Sequence, residues 1–225
     1  MKPLSDCHLY TFVDTDYLRG RSPEEVAAQL CQGGSDLIQL RAKKSAPAEV
    51  QRLAAAILPI TRAANVGLVI NDYPAVARES GAELCHLGQE DFFDQSDSGG
   101  ANPSRTSLLK CGVPFGLSSH APAQAERAVT AGAAYLGVGP VYATATKPGA
   151  KAVTLEYVRW ASLHVRLPWF AIGGINLQNL DEVLDAGATR ICVVSAILSA
   201  TDITGACQRF KERLVSVRAK LQTAT

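Results

Sequence analysis

The sequence predicts a (β/α)8 TIM barrel, of the α/β class, from three observations. Eight short apolar runs recur near 8–13, 36–40, 67–70, 84–87, 114–118, 135–139, 168–172 and 190–194. Continuous apolar runs of this length are how strands read when a parallel sheet is buried on both faces. Segments of helical periodicity lie between them, and seven of the runs break off into a short polar cluster, where a strand would leave the sheet. The chain of 225 residues is slightly shorter than the ~250 usual for eight such units. It has no Pro- or Ser-rich linker, so residues 1–225 read as one domain.

Taken in order, the first run leads into Phe12-Val13-Asp14-Thr15. An open doubly wound sheet would carry its glycine-rich fingerprint in this turn, and there is none, so the closed sheet is preferred. Pro23-Glu24-Glu25 opens a helix running to Gln32. LIQLRAKK (37–44) is the second strand, and the helical pattern of 47–64 follows it. LVINDY (68–73) and CHLGQED (85–91) give the third and fourth, closing on Asp72 and Asp91. The stretch 92–114 breaks the rhythm: Asp94 to Pro103 is turn-forming and poorly periodic, so a mobile excursion is expected there. FGLSSH (115–120) is the fifth strand, followed by a helix from Ala121-Pro122 to Ala131 that stops at Gly132. YLGVGPVYATATKP (135–148) joins a glycine-punctuated strand to a loop with two hydroxyls and a lysine. WFAIGGI (169–175) and CVVSAI (192–197) end on small-residue turns, and 202–221 is the closing helix.

Composition excludes several function classes. The formal charge is +1, from 22 basic and 21 acidic residues spread evenly, so no basic stripe exists to neutralise a nucleic-acid backbone. No window approaches the roughly 18 apolar residues of a membrane span, and no secretory signal is evident, so a soluble, cytoplasmic protein is expected. The six cysteines form no C-x-x-C pair and read as small core residues.

The clusters carry chemistry for anions and a hard cation. Gln39, Arg41 and Lys43 alternate at period two, which puts all three on one face of a strand end. An Arg fork beside a Lys point charge suits a diphosphate. Asp72 and Asp91 close adjoining runs, and adjacent strands lie about 4.8 Å apart, so both carboxylates can reach one cation. One or two carboxylates completed by substrate phosphates describe Mg2+ better than zinc. His86 and His120 do not change this, since a lone His in such a run is more often structural. Gly173-Gly174 and Val194-Ser195, after the seventh and eighth strands, fall where barrels bind phosphate with backbone N–H groups.

The order and spacing of these clusters resemble the thiamine phosphate synthase family over nearly the whole chain, from Leu9-Tyr10 to about Ala200. The resemblance rests on Gln39-Leu40-Arg41-Ala42-Lys43, Ile70-Asn71-Asp72, His86 to Asp91, Gly139 to Lys147, Ala171 to Ile175 and Val194-Ser195. It implies a transferase that joins hydroxymethylpyrimidine diphosphate to hydroxyethylthiazole phosphate, or its carboxylate, giving thiamine monophosphate and diphosphate with Mg2+. By that resemblance Gln39, Leu40, Arg41, Ala42, Lys43, Asn71, Ser118 and Lys147 would hold the pyrimidine diphosphate. Asp72 and Asp91 would bind Mg2+, and Thr144, Ala145, Thr146, Gly174, Val194 and Ser195 would hold the thiazole phosphate. Arg41, Lys43, Ser118 and Lys147 would act in catalysis, with no nucleophilic side chain required. The partners implied are phosphorylated small molecules, with neither nucleic acid nor membrane, and a homo-oligomer is left open. Two rival readings remain: a thiazole tautomerase, which His120 keeps open as an acid or base, and a non-catalytic phosphate-ligand sensor.

Overall fold

In the computed structural model, which describes residues 1–94, 103–143 and 152–223, eight parallel strands close into a barrel in sequence order. They are β1 (Leu9–Asp14), β2 (Leu37–Arg41), β3 (Gly67–Asn71), β4 (Leu84–Leu87), β5 (Phe115–Ser119), β6 (Tyr135–Val138), β7 (Trp169–Ile172) and β8 (Ile191–Cys192). Each lies within a residue or two of its predicted run. β8 is only two residues long, and it joins the first strand to the seventh through Leu9 opposite Ile191 and Ala171 opposite Ile191.

Helices follow the strands: α1 (Pro23–Gln32), α2 (Pro47–Ala63), α3 (Pro74–Ser80), α4 (Gln89–Phe93), α5 (Pro103–Cys111), α6 (Pro122–Thr130), α7 (Thr154–His164), α8 (Leu180–Asp185), α9 (Ser195–Leu198) and α10 (Ile203–Thr223). Their starts are written locally. Ser22 accepts from the Glu25 N–H while the Glu25 carboxylate accepts from the Ser22 N–H, a capping box with Pro23 in the first helical position. The expectation of an irregular excursion over 92–114 is corrected in part. α5 occupies Pro103–Cys111 and buries Leu108, an apolar contact that overrides weak periodicity; residues 95–102 of that stretch lie outside the described residues.

Alternation along each strand sorts the side chains. Leu40, Ile70, Leu87, Leu117 and Ala171 are fully buried beneath the helices. Tyr10, Gln39, His86, Tyr135 and Phe170 point inward and fill the barrel. Tyr10, Tyr135 and Phe170 meet edge to face, with centroids 5.3–5.9 Å apart. Gly116 makes room for this layer, because a Cβ there would lie 2.1 Å from Cζ of Tyr135.

The N-terminal end of the barrel is tied by one carboxylate. Asp36 is buried and accepts from the backbone N–H of His8 and Leu9, from Lys2 Nζ at 2.8 Å and from Lys211 Nζ at 2.5 Å. Burial alone would raise its pKa, but the two lysines and two N–H groups outweigh burial and hold it below the usual value. At the opposite end Arg21 donates to the carbonyls of Tyr17, Leu18, Leu198 and Ala200, joining the loop after β1 to the turn after α9.

Candidate active site

A cavity opens at the C-terminal ends of the strands, lined by side chains or backbone from all eight units. One rim is charged. Gln39, Arg41 and Lys43 line it together, as their alternation predicts, although β2 ends at Arg41 and Lys43 sits in the turn beyond. Arg41 donates from Nη1 to Asp14 Oδ2 at 2.7 Å, and Asp14 is buried. That ion pair was not legible in the sequence, where Asp14 is a single acid at a strand end.

Asp72 follows β3 and stands 3.8 Å from Lys43 Nζ, with Asn71 Nδ2 donating to it at 2.6 Å. Burial raises its carboxyl above the usual range, and the neighbouring Asp91 adds to this against the pull of Lys43. Asp91 is not at a strand end as expected. It lies in α4, beyond the end of β4, and reaches the cavity from there. Among the described residues no cluster of three or more His, Cys, Asp or Glu side chains that could hold a metal ion occurs.

The opposite rim is built by small residues. Gly173 and Gly174 have φ of 102° and 67°, and a Cβ on Gly174 would come within 2.8 Å of both Tyr142 and Ala143. Protein donors already use both glycine carbonyls: Tyr142 N–H bonds that of Gly173, and Asn179 Nδ2 bonds that of Gly174. Oxygen atoms are thereby held on protein partners where an incoming anion would need donors. Val194 and Ser195 line the cavity beside this turn, and Ser195 opens α9.

Between the rims the floor is aromatic and polar in alternation. Gln39 Nε2 donates to the Tyr10 hydroxyl at 2.6 Å, which meets the Tyr135 hydroxyl at 3.0 Å. Tyr135 meets His86 Nδ1 at 3.0 Å, and His86 Nε2 meets Ser118 Oγ at 3.1 Å. Burial pushes both phenols well above their usual range and lowers His86 to about 4, so all three groups are uncharged near neutrality. Gln89 of α4 donates to the Ser118 carbonyl, and Arg127 of α6 donates to Gln89 Oε1 at 3.0 Å while stacking over Phe93 at 4.0 Å. His120 also lines the cavity, with Nδ1 on the Gly139 carbonyl.

The predicted residues therefore divide into groups. Gln39, Arg41, Lys43, Asn71, Asp72, Asp91, Ser118, Gly174, Val194 and Ser195 converge on one cavity. Leu40 and Ala42 are buried and are not among its described lining residues, because the pleat turns alternate side chains toward the helices. Thr144, Ala145, Thr146 and Lys147 lie outside the described residues. Sequence reasoning missed Tyr10, Tyr135 and Phe170 and set His86 aside as structural. The available signal was the period-two alternation within the strands, which puts Tyr10 on the face of Phe12, Tyr135 on that of Gly137 and Phe170 on that of Ile172, all of them lining the cavity.

Comparison with known proteins places the site in context. A family model described as Thiamine monophosphate synthase matches residues 9–197. The chain is 44% identical to a thiamine-phosphate synthase of Thermus thermophilus over 82% of its length and 85% of the relative's. It is 36% identical to a thiamine-phosphate synthase of Halalkalibacterium halodurans, covering 92% of this chain and 95% of that one. A solved thiamine phosphate pyrophosphorylase from Pyrococcus furiosus superposes with a TM-score of 0.82 at 27% identity, covering 96% and 99% of the two chains.

Proposed function

The chain belongs to the thiamine monophosphate synthase family, and from that premise we propose how its cavity divides the work of the reaction. The activity is that of a transferase: thiamine-phosphate synthase, which joins a pyrimidinylmethyl diphosphate to a hydroxyethylthiazole phosphate and releases diphosphate. Gln39, Arg41, Lys43, Asn71 and Ser118 hold the pyrimidine diphosphate, and Gly174, Val194 and Ser195 hold the thiazole phosphate. Thr144, Ala145, Thr146 and Lys147 complete the two half-sites by the sequence resemblance. The observation that carries this reading is the placement of the two anion-suited rims on opposite sides of one aromatic floor.

Mg2+ fits the charged rim. Two carboxylates, one of them held above its usual pKa by burial and by the other's charge, gain from a hard cation that takes oxygen ligands and leaves positions for phosphate. When bound, Mg2+ would neutralise charge on the leaving diphosphate. Asp72 and Asp91 would hold it. Arg41 and Lys43 stabilise the same developing charge from the other side, Arg41 with the part of its fork that Asp14 leaves unused.

The substitution is dissociative. The methylene C–O bond breaks with its electron pair going to diphosphate, and the thiazole nitrogen then supplies the pair that forms the new C–N bond. No side chain attacks; the protein positions two ligands over a floor of Tyr10, Tyr135 and Phe170. The purified protein with both substrates and Mg2+ is expected to release thiamine phosphate and diphosphate in equal amounts. Conversion of the thiazole alone, or binding without turnover, would replace this reading with the tautomerase or the sensor.

A further inference from the structure

The hydrogen bonds that end on Ser118 have a direction, and the direction decides what Ser118 can do. Gln39 Nε2 can only donate, so Tyr10 Oη accepts at 2.6 Å. Either hydroxyl of the Tyr10–Tyr135 pair, 3.0 Å apart, can donate; with Tyr10 already accepting from Gln39, the arrangement that uses its one proton among the described residues has Tyr10 donating to Tyr135. Tyr135, accepting from Tyr10, turns its own proton to His86 Nδ1 at 3.0 Å. A neutral imidazole that accepts at Nδ1 carries its proton on Nε2, which here faces Ser118 Oγ at 3.1 Å. Ser118 Oγ accepts that proton, and its own O–H is left for the cavity.

We propose that His86 is a positioning residue: the Tyr10–Tyr135 pair holds it as the Nε2–H tautomer, and it thereby keeps Ser118 a hydrogen-bond donor toward the departing diphosphate. The opposite tautomer would take the Ser118 proton onto Nε2 and leave only oxygen lone pairs facing an anion. Two further contacts keep the geometry fixed. The His86 ring is stacked on Tyr135 with centroids 5.6 Å apart, and Gln89 holds the Ser118 carbonyl. The catalytic half of this proposal rests on the assignment of Ser118 to the pyrimidine diphosphate; the tautomer does not.

The test is a long-range proton–nitrogen correlation spectrum of the full chain labelled with 15N-histidine, with His86→Gln identifying the ring. His86 is expected to be protonated at Nε2 and bare at Nδ1, and Tyr135→Phe is expected to move it toward the Nδ1–H form. In turnover assays Tyr135→Phe and His86→Leu should lower kcat at least about tenfold, the scale of one lost transition-state donor, with far smaller changes in KM. His86→Gln, whose amide nitrogen reaches the Nε2 position, should recover most of the loss. An Nδ1–H ring in the unsubstituted protein, or full kcat in a folded His86→Leu variant, would overturn the proposal. If His86→Leu does not fold, the spectrum of the unsubstituted protein decides the tautomer. Full turnover by Ser118→Ala would instead overturn the Ser118 assignment and the catalytic half with it, whatever the spectrum shows.

Discussion

Asp72 combines two unfavourable states, a left-handed backbone with φ of 64° and a carboxyl whose pKa burial raises. Asn and Asp tolerate this backbone region better than other residues with a Cβ. A carboxyl with a raised folded pKa is one whose charge folding penalises at neutral pH. Without Mg2+, Asp72→Asn is therefore expected to be at least as stable as the parent protein, and Asp72→Ala about 1 kcal/mol less stable than Asp72→Asn. Both should lose Mg2+-dependent turnover more than about tenfold. Urea unfolding beside an activity assay separates the two effects, and equal stability of the pair would refute the backbone argument. Asp14 behaves differently: it accepts from Arg41 and also from the Asp16 N–H, capping the turn after β1. Asp14→Ala strands a partly buried guanidinium and should cost about 3 kcal/mol, read as a lower urea midpoint. At this scale the sequence shows which residue types converge, as with Arg41 and Lys43. It does not show pairing, because Asp14 and Arg41 are 27 positions apart and only the β1–β2 register sets them side by side.

α4 is five residues long, too short to be held by its own hydrogen bonds, yet it carries Asp91. Its placement comes from outside. Arg127 on α6 binds Gln89 and stacks over Phe93, while Phe92 packs on Phe115 of β5 with centroids 5.4 Å apart. Arg127→Ala is expected to leave global stability within about 1 kcal/mol, since one exposed cation–π contact and one hydrogen bond are lost. It should nevertheless raise the Mg2+ concentration needed for half-maximal activity several-fold, because Asp91 then moves with a loosened helix. A Mg2+ titration of the variant checks this; an unchanged midpoint would mean that Asp91 is positioned by something else or does not hold the Mg2+ proposed for it. The long elements were legible from periodicity and Pro starts, as in α1, α2 and α6. The short ones were not: α4, α8 and α9 have four to six residues each, fewer than two turns of pattern.

On the scale of the whole molecule, burial of His86 couples stability to pH. Its folded pKa of about 4 lies below the ordinary 6.5, so between those values the unfolded chain binds a proton that the folded chain does not. Stability contributed by the neutral ring is present above pH 6.5 and is lost as pH falls toward 4. Denaturant midpoints measured from pH 7 to pH 5 should fall more steeply for the parent protein than for His86→Gln; parallel curves would contradict it. The barrel itself was legible because all eight strands are local apolar runs, whereas the way it closes depends on contacts between residues about 180 positions apart. β8 pairs with its neighbours through Ile191 and Cys192, with a further backbone bond on each side from Val193 N–H to the Tyr10 carbonyl and from Ala171 N–H to the Arg190 carbonyl, so the cylinder has a short seam there, and the side-chain bonds of Arg21 across the loop after β1 and the end of α9 work as a latch over it. Backbone amides of β8 should thus exchange with deuterium sooner than those of β2, and Arg21→Ala should hasten that exchange and expose the Cys192 thiol to alkylation. In such a cylinder, breathing would begin beside the phosphate-suited rim and leave the charged rim intact.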